Sequence, residues 1–316
     1  MFIEDLTARV PRLLFLGQRA FHGLCPLVRR DVADETSDAI AGAIAAMRPR
    51  PSIVCFELID VTSPWPDALV RGWPGRRAWL RKGISTTSQA VRFEGMFEDW
   101  MDARGRRWRS EFRRRSKRFA EVGGVVRRAQ GSEDVIRCLG ELIRLHHIRW
   151  QQQSDWLTPV LERTLREAAD GLVPDDGLRL WTVEIDERVI GVTLFAAAGG
   201  TIVMPLTAFD PAWSRFAPGS RSVVAGIEEG FRLGEDWIDL GCGDYRYKRQ
   251  LANESYPVST YEVFARDDRY LLVRAHELPR HVRERAIQGR IRLRARSRLA
   301  DAKQWVRARN PRSTGR

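Results

Sequence analysis

The chain has 316 residues, 43% of them hydrophobic, enough to bury the core of one large domain or two modest ones. Its 53 lysines and arginines exceed 41 acids by 12 charges, which points to anionic partners such as phosphates, anionic lipid or nucleic acid. No apolar run approaches the ~18 residues of a membrane span.

The N-terminus, "MFIEDLTARVPRLLFLGQRAF", mixes acid and base into its apolar patch and has no small-residue cleavage site, so it does not read as a signal peptide. Residues 51–70 predict a buried strand, a Pro-bounded loop and the start of a short helix. Residues 93–122 predict helix throughout, with Phe93, Phe97, Trp100 and Met101 as an apolar stripe, stopped by Gly123-Gly124. A second helix opens at Ser132, with Val135, Leu139, Leu142 and Leu145 on one side, and a third covers about 158–170. Then "LRLWTVEIDERVIGVTLFAAAGGTIVMPLTAFD" predicts three antiparallel strands joined by short turns. A Pro218-Gly219 loop, a helix, the strand "DWIDLG", a short helical piece at about 245–252 and the strands "VSTYEVFAR" and "YLLVRA" complete the series. Cys25, Cys55, Cys138 and Cys242 are too scattered for a zinc or redox motif, so reduced thiols, a cytoplasmic protein and no metal are expected.

The stretch "WIDLGCGDYRYKRQL" resembles the glycine loop that holds S-adenosylmethionine. Such a loop needs a small residue where Tyr245 stands, so that the next helix can pack on the strand. Only 73 residues lie beyond Gly243 (316 − 243), too few to complete a doubly wound sheet. The order meander, loop, helix, strand, helix, strand fits the acetyltransferase fold instead. There the strands flanking the loop and helix diverge, and the gap admits the pantetheine arm of an acyl-CoA. The loop "RFAPGSRS" would hold the pyrophosphate at the helix start. Gly219 allows close backbone approach, Ser220 or Ser222 caps, and Arg215 and Arg221 supply charge.

Over roughly residues 25–275 the chain resembles the CelD-like (cellulose-biosynthesis, BioF-type) branch of the GNAT acetyltransferases, related to Fem-type peptidoglycan aminoacyltransferases. The resemblance rests on "FEDWMDARGRRWRSEFRRRSKRFAEVGG", "LHHIRW", "AFDPAWSRFAPGS" and "DLGCGDYRYK". It implies an α/β (α+β) GNAT acyltransferase fold with tandem lobes: a degraded N-lobe at 20–125, a catalytic lobe at 126–275 and a basic helical tail at 276–316. It also implies acetyl-CoA or another acyl-CoA as donor, and an anionic acceptor from cell-envelope or polysaccharide precursors. Two alternatives stand beside it: a Fem-like transferase that uses aminoacyl-tRNA, and a non-catalytic accessory protein that binds polyanion or membrane.

Five residues are candidates for the chemistry. Lys248 would balance a phosphate or the thioester oxyanion, and Tyr247 would protonate the leaving thiolate. Asp239 would orient Lys248 or a substrate amine, or cap a turn. Asp210 would act as base or begin a turn, and His146 would be a general base or a structural helix residue. Cys242 as a nucleophile would require a covalent intermediate that direct transfer does not use. The Arg-rich helix at 104–118 would bind an anionic acceptor, or nucleic acid as the less favoured partner. In the tail, Ile287, Ile291, Ala295 and Leu299 at spacing four among arginines predict an amphipathic helix, suited to the inner face of an anionic membrane or a partner, or else to packing on its own domain.

Overall fold

The computed structural model describes residues 2–5, 10–15, 17, 23–26, 33–48, 50–150, 157–243, 245–287 and 289. In chain order the elements are β1 (Phe2–Asp5), β2 (Arg12–Phe15), α1 (Ala33–Ala46), β3 (Ile53–Asp60), α2 (Trp65–Arg71), β4 (Trp79–Arg92), α3 (Phe97–Asp102), α4 (Arg106–Glu121), β5 (Val125–Arg128) and α5 (Gly131–Trp150). Next come α6 (Pro159–Leu172), β6 (Leu178–Ile185), β7 (Arg188–Ala198), β8 (Thr201–Phe209), a 3-10 helix (Pro211–Phe216), α7 (Pro218–Leu233), β9 (Trp237–Cys242), α8 (Arg246–Leu251) and β10 (Glu254–Phe264). A last helix, α9, covers residues 270–287. Contacts divide the chain into two units, one of Met1–Gln18, Gly23–Ser85 and Val258–Arg316, the other of Arg19–His22 and Thr86–Pro257.

In the first unit, β1 and β2 pair antiparallel, β2 and β3 parallel, and β3 and β10 antiparallel. Its core gathers Leu13, Phe15, Val54, Phe56, Ile59, Leu69 and Val263, all buried. The β-branched and aromatic run of β3 suits a strand buried on both sides.

In the second unit, β5, β6, β7 and β8 form an antiparallel meander. Beyond it, β9 pairs parallel with β8 and antiparallel with the second half of β4. Alternation along β7 sends Leu194 to one face of this sheet and Phe195 to the other. Leu194 joins Leu139, Leu142, Leu145, Leu161 and Leu165 of α5 and α6. Phe195 joins Val223 and Ile227 of α7, with Ile238 and Leu240 of β9. Each such side chain contributes about 1.5–3 kcal/mol by leaving water. The face covered by α7 also carries α3 and α4, whose Phe97, Trp108 and Phe112 pack against the same cluster.

Three expectations need correction. The helix predicted over 93–122 starts only at Phe97, after an extended Met96, and is two helices, because Gly105 is the non-helical N-cap of α4. Arg104 stabilises the break: its Nε donates to the Trp100 carbonyl at 3.1 Å, and Nη1 reaches the carbonyls of Leu251 and Ala252 at 2.7 Å. "YLLVRA" is the first turn and a half of α9, not a strand. Leu271 and Leu272 are exposed while Val273, Glu277 and His281 are buried, a period of four rather than two. The strand β4 escaped prediction because its polar Ser85 and Ser88 spend their hydroxyls on Ser259 and Asp239, so no apolar alternation marks it. The expected stripe beyond Ile287, at Ile291, Ala295 and Leu299, lies outside the described residues.

Candidate active site

The meander places β8 beside β9, but only Thr201–Val203 pair with Trp237–Asp239. Past that point β8 continues to Phe209, paired with β7 only, while β9 ends at Cys242. Ladder pairing between the two strands stops there, and this end of the pairing, between the far half of β8 and the end of β9, is the candidate opening.

The first turn of α7 is docked at the β7–β8 side of this opening by close backbone approach. A Cβ on Gly191 would stand 2.8 Å from the Pro218 Cβ, and one on Gly219 would stand 3.0 Å from the Phe209 ring. Pro218 occupies the first helical position, and Gly219 and Ser220 supply N–H groups of the first turn, which lie beyond the reach of intrahelical acceptors. The N-cap is Ala217 in the left-handed region (φ 53°), and no side chain caps the turn, so neither Ser220 nor Ser222 caps it as expected. Ser222 is fully buried, and its Oγ lies 2.7 Å from Thr193 Oγ1 and 3.2 Å from the Gly219 carbonyl.

Arg221 also points inward. Its Nε donates to the Phe216 carbonyl at 2.7 Å, its Nη1 donates to Ser116 Oγ at 3.0 Å, and its guanidinium lies 4.4 Å from the Phe119 ring. Burial, with Arg115 adding to it, lowers the pKa of this guanidinium. It braces α4 against the turn rather than facing a ligand. Arg215 is the exposed cation here, lying 4.8 Å from the Phe216 ring.

At the end of β9, Asp239 is the hub of a polar network. Its Oδ1 accepts from Ser88 Oγ and from the Gly241 N–H, both at 2.7 Å, and its Oδ2 accepts from Tyr256 OH at 2.7 Å. Gly241 has φ 81°, a left-handed turn that glycine adopts at little cost. A Cβ there would stand 3.3 Å from Lys248 Nζ, which folds back over the turn to donate to the Cys242 carbonyl at 2.9 Å. Lys248 is 7% exposed, and burial lowers its pKa against the pull of Cys242 and Asp239. The glycines of "DLGCG" therefore form a turn around a lysine.

The C-terminal end of α5 contributes His146 and Arg149. The Arg149 guanidinium lies 4.5 Å from the Phe209 ring and 5.1 Å from the Trp150 ring. Burial lowers its pKa, while Tyr247 and Tyr245 act the other way through their charge. Tyr247 is the reciprocal case: burial raises its hydroxyl above the ordinary value, so it stays protonated at neutral pH, with Arg149 opposing. His146 is 4% exposed, and burial, then His147 and Arg149, lower its pKa and favour neutral imidazole. Asp210 stands at the end of β8, with Oδ1 accepting from the Ala212 N–H at 3.0 Å and Oδ2 paired with Arg188 at 3.0 Å. It caps the 3-10 helix, the turn-initiating role weighed for it.

The structure thus sets Arg149 over Phe209 and leaves Tyr247 within the field of the same guanidinium, with His146 one turn before Arg149 on α5. Arg149 was not among the residues predicted from sequence, although it lies within "LHHIRW". Its cue is a cation beside an aromatic residue at a helix end, too common a pattern to stand out. Among the described residues no group of three or more His, Cys, Asp or Glu side chains could hold a metal ion.

Residues 106–249 match a family model described as acetyltransferase (GNAT) domain. No curated protein matches the chain in sequence. Among solved structures the chain resembles FemX, with a TM-score of 0.59 at 12% identity over 86% of this chain and 85% of that one. It also resembles L-PGS from Bacillus licheniformis (TM-score 0.53, 13% identity, covering 86% and 82%). A third is a conserved protein of unknown function from Bacteroides thetaiotaomicron (TM-score 0.52, 11% identity, covering 84% and 82%). At these identities the likeness establishes the fold, which is GNAT-like, and the family match at 106–249 falls within the second unit.

Proposed function

We propose that the chain is an acyltransferase that takes an acyl group from acyl-CoA, with acetyl-CoA the simplest donor, and passes it directly to an amine or hydroxyl acceptor. The observation that carries this reading is the end of β8–β9 pairing at Val203 and Asp239, with the uncapped N-terminal turn of α7 docked on β7 and β8. The pantetheine arm would enter the opening. The pyrophosphate would lie on the N–H groups of Gly219 and Ser220, with Arg215 as the outer cation.

In the reaction the acceptor nitrogen or oxygen attacks the thioester carbonyl and loses a proton. His146, held neutral by its surroundings, is the base we favour. The carbon–sulfur bond breaks and the thiolate takes a proton from Tyr247. Lys248 places positive charge at the end of β9, where the oxyanion would otherwise stand uncompensated. Asp239 shapes the turn that positions Lys248, and Asp210 shapes the turn that leads to α7. The resemblance to CelD-like proteins suggests a cell-envelope or polysaccharide precursor as acceptor, in a cytoplasmic reaction. The division into a first lobe at 20–125 and a catalytic lobe at 126–275 belongs to this reading.

A second reading, transfer from aminoacyl-tRNA, is favoured by α4, whose Arg106, Arg107, Arg113, Arg114, Lys117 and Arg118 crowd one short helix with cations. A thermal-shift titration decides between donors. Acetyl-CoA should raise the melting temperature by mass action, S-adenosylmethionine should not, and Gly219→Ala should reduce the shift. Tight binding of tRNA with no response to acetyl-CoA would favour the second reading. Binding of neither would leave the accessory role.

A further inference from the structure

Helix α9 in the first unit packs through a mostly charged inner face and leaves an apolar face uncovered. Its inner face carries Val273, Glu277, Arg280, His281 and Glu284. Val273 joins Val10, Ile53 and Phe264 in a small core. Glu277 pairs with Arg12 and Arg280, and Glu284 pairs with Arg81 and Arg280. At roughly 100° per residue the opposite side of the helix should be polar in a protein surrounded only by water. Instead it presents Leu271, Leu278 and Val282, exposed at 74%, 59% and 57%, with Leu272 at 73% on the flank. Single exposed leucines need no explanation, but four apolar side chains on one helix do.

The flanks are cationic. Arg274 and Arg285 border the apolar face on one side and Arg283 on the other, and among the described residues none of the three is in an ion pair. The acids Glu277 and Glu284 are turned inward and spent on arginines. Beside this face lies a cavity of about 560 Å³, lined in part by Trp79, Arg81, Lys82, Arg274, Leu278 and Arg285, so cations and exposed apolar side chains share one opening.

We propose that this face of α9 lies in the surface of an anionic lipid bilayer. Leu271, Leu278 and Val282 would enter the acyl boundary, and Lys82, Arg274 and Arg285 would meet headgroup phosphates at the mouth of the cavity. Charge selects this occupant. The 27 residues from Arg290 to Arg316 hold ten lysines and arginines and one acid, a charge that does not complement the arginines beside the apolar face. A second copy of α9 would bring like charge to like. An anionic bilayer satisfies both apolar and cationic demands, and its attraction fades with salt. The inference does not depend on the transferase reading.

The test is sedimentation of the full chain with vesicles, using phosphatidylcholine alone or mixed with phosphatidylglycerol in equal parts. The intact protein should bind the mixed vesicles and not the neutral ones. Leu271→Ser/Leu278→Ser should weaken binding more than tenfold, and Arg283→Glu/Arg285→Glu at least as much. All four side chains are exposed, so unchanged melting temperatures are expected and keep the comparison valid. A chain ending at Gly289 should keep binding that still depends on Leu271 and Leu278. Three results would overturn the proposal: undiminished binding by the double-Ser variant, equal binding to neutral vesicles, or complete loss in the chain ending at Gly289.

Discussion

Asp239 makes three hydrogen bonds at the end of β9, and the phenol of Tyr256 supplies one of them at 2.7 Å. A hydrogen bond to a charged group contributes about 1.5–3 kcal/mol. Tyr256→Phe should therefore lower stability in urea by about 2 kcal/mol while leaving the strand in place. Lys248 acts in the opposite sense. Burial lowers its pKa, so between that lowered value and the ordinary one the folded chain binds fewer protons than the unfolded chain. Stability attributable to this group then rises with pH across that window, and its burial costs most below it. Lys248→Met should remove this alkaline rise, which a pH series of urea midpoints would reveal. If Lys248 also balances the oxyanion, turnover should fall by about 10²–10³. A variant that keeps full turnover would reduce the lysine to a turn-former.

The helix α7 bears on both the core and the opening, and its distance from the sheet is set by glycine. A Cβ on Gly226 would lie 2.4 Å from Phe195 Cε2, and that ring is 1% exposed with nowhere to move. Gly226→Ala should cost about 1–3 kcal/mol by overpacking, although alanine is the better helix former. Gly140 of α5 is the control, because a Cβ there meets nothing within 4 Å. Gly140→Ala should gain about 0.5–1 kcal/mol. Guanidinium unfolding of the two variants checks both signs. Equal effects would mean that helix propensity, not packing, sets the stability of these helices.

Across the whole chain, residues distant in sequence meet in the first unit around the fully buried Glu262. Arg12 Nη1 lies 2.9 Å and Arg81 Nη1 2.7 Å from its carboxylate, with Arg280 and His281 completing the ring. Burial alone would raise the pKa of Glu262, but Arg280 and Arg12 outweigh it and hold it below the usual range. Its contribution to stability is thus present above the ordinary carboxylate value of about 4.3 and is lost as pH falls through the depressed one. Glu262→Gln should cost about 3–5 kcal/mol at neutral pH, because it strands buried arginines. It should also flatten the acid limb of the stability curve. A chain ending at Pro279 loses Arg280, His281 and Glu284 together and should unfold the first unit more readily. One ending at Gly289 keeps all three and should melt like the full chain.

Strands β6, β7 and β8 of the second unit's meander, together with α5, α6, α7, β9 and α8, were legible in the sequence through apolar periods and turn signals, whereas the four-residue β5 was too short to show either. The methyltransferase loop was also disfavoured at that level by one bulky residue, Tyr245, where a small one is needed. Helix α1 and strand β4 were not legible, since their residues carry no clean period, and the short apolar run that opens α9 passed for a strand. The place where β8–β9 pairing stops and the stacking of Arg149 on Phe209 exist only in the folded chain. So do the inward turn of Arg221 and Ser222 and the exposed apolar face of α9. Local propensity sets whether a residue is in a helix or a strand. Which way its side chain faces depends on the elements packed beside it, and partners such as Arg12 and Glu262, 250 residues apart, leave no trace in any local window.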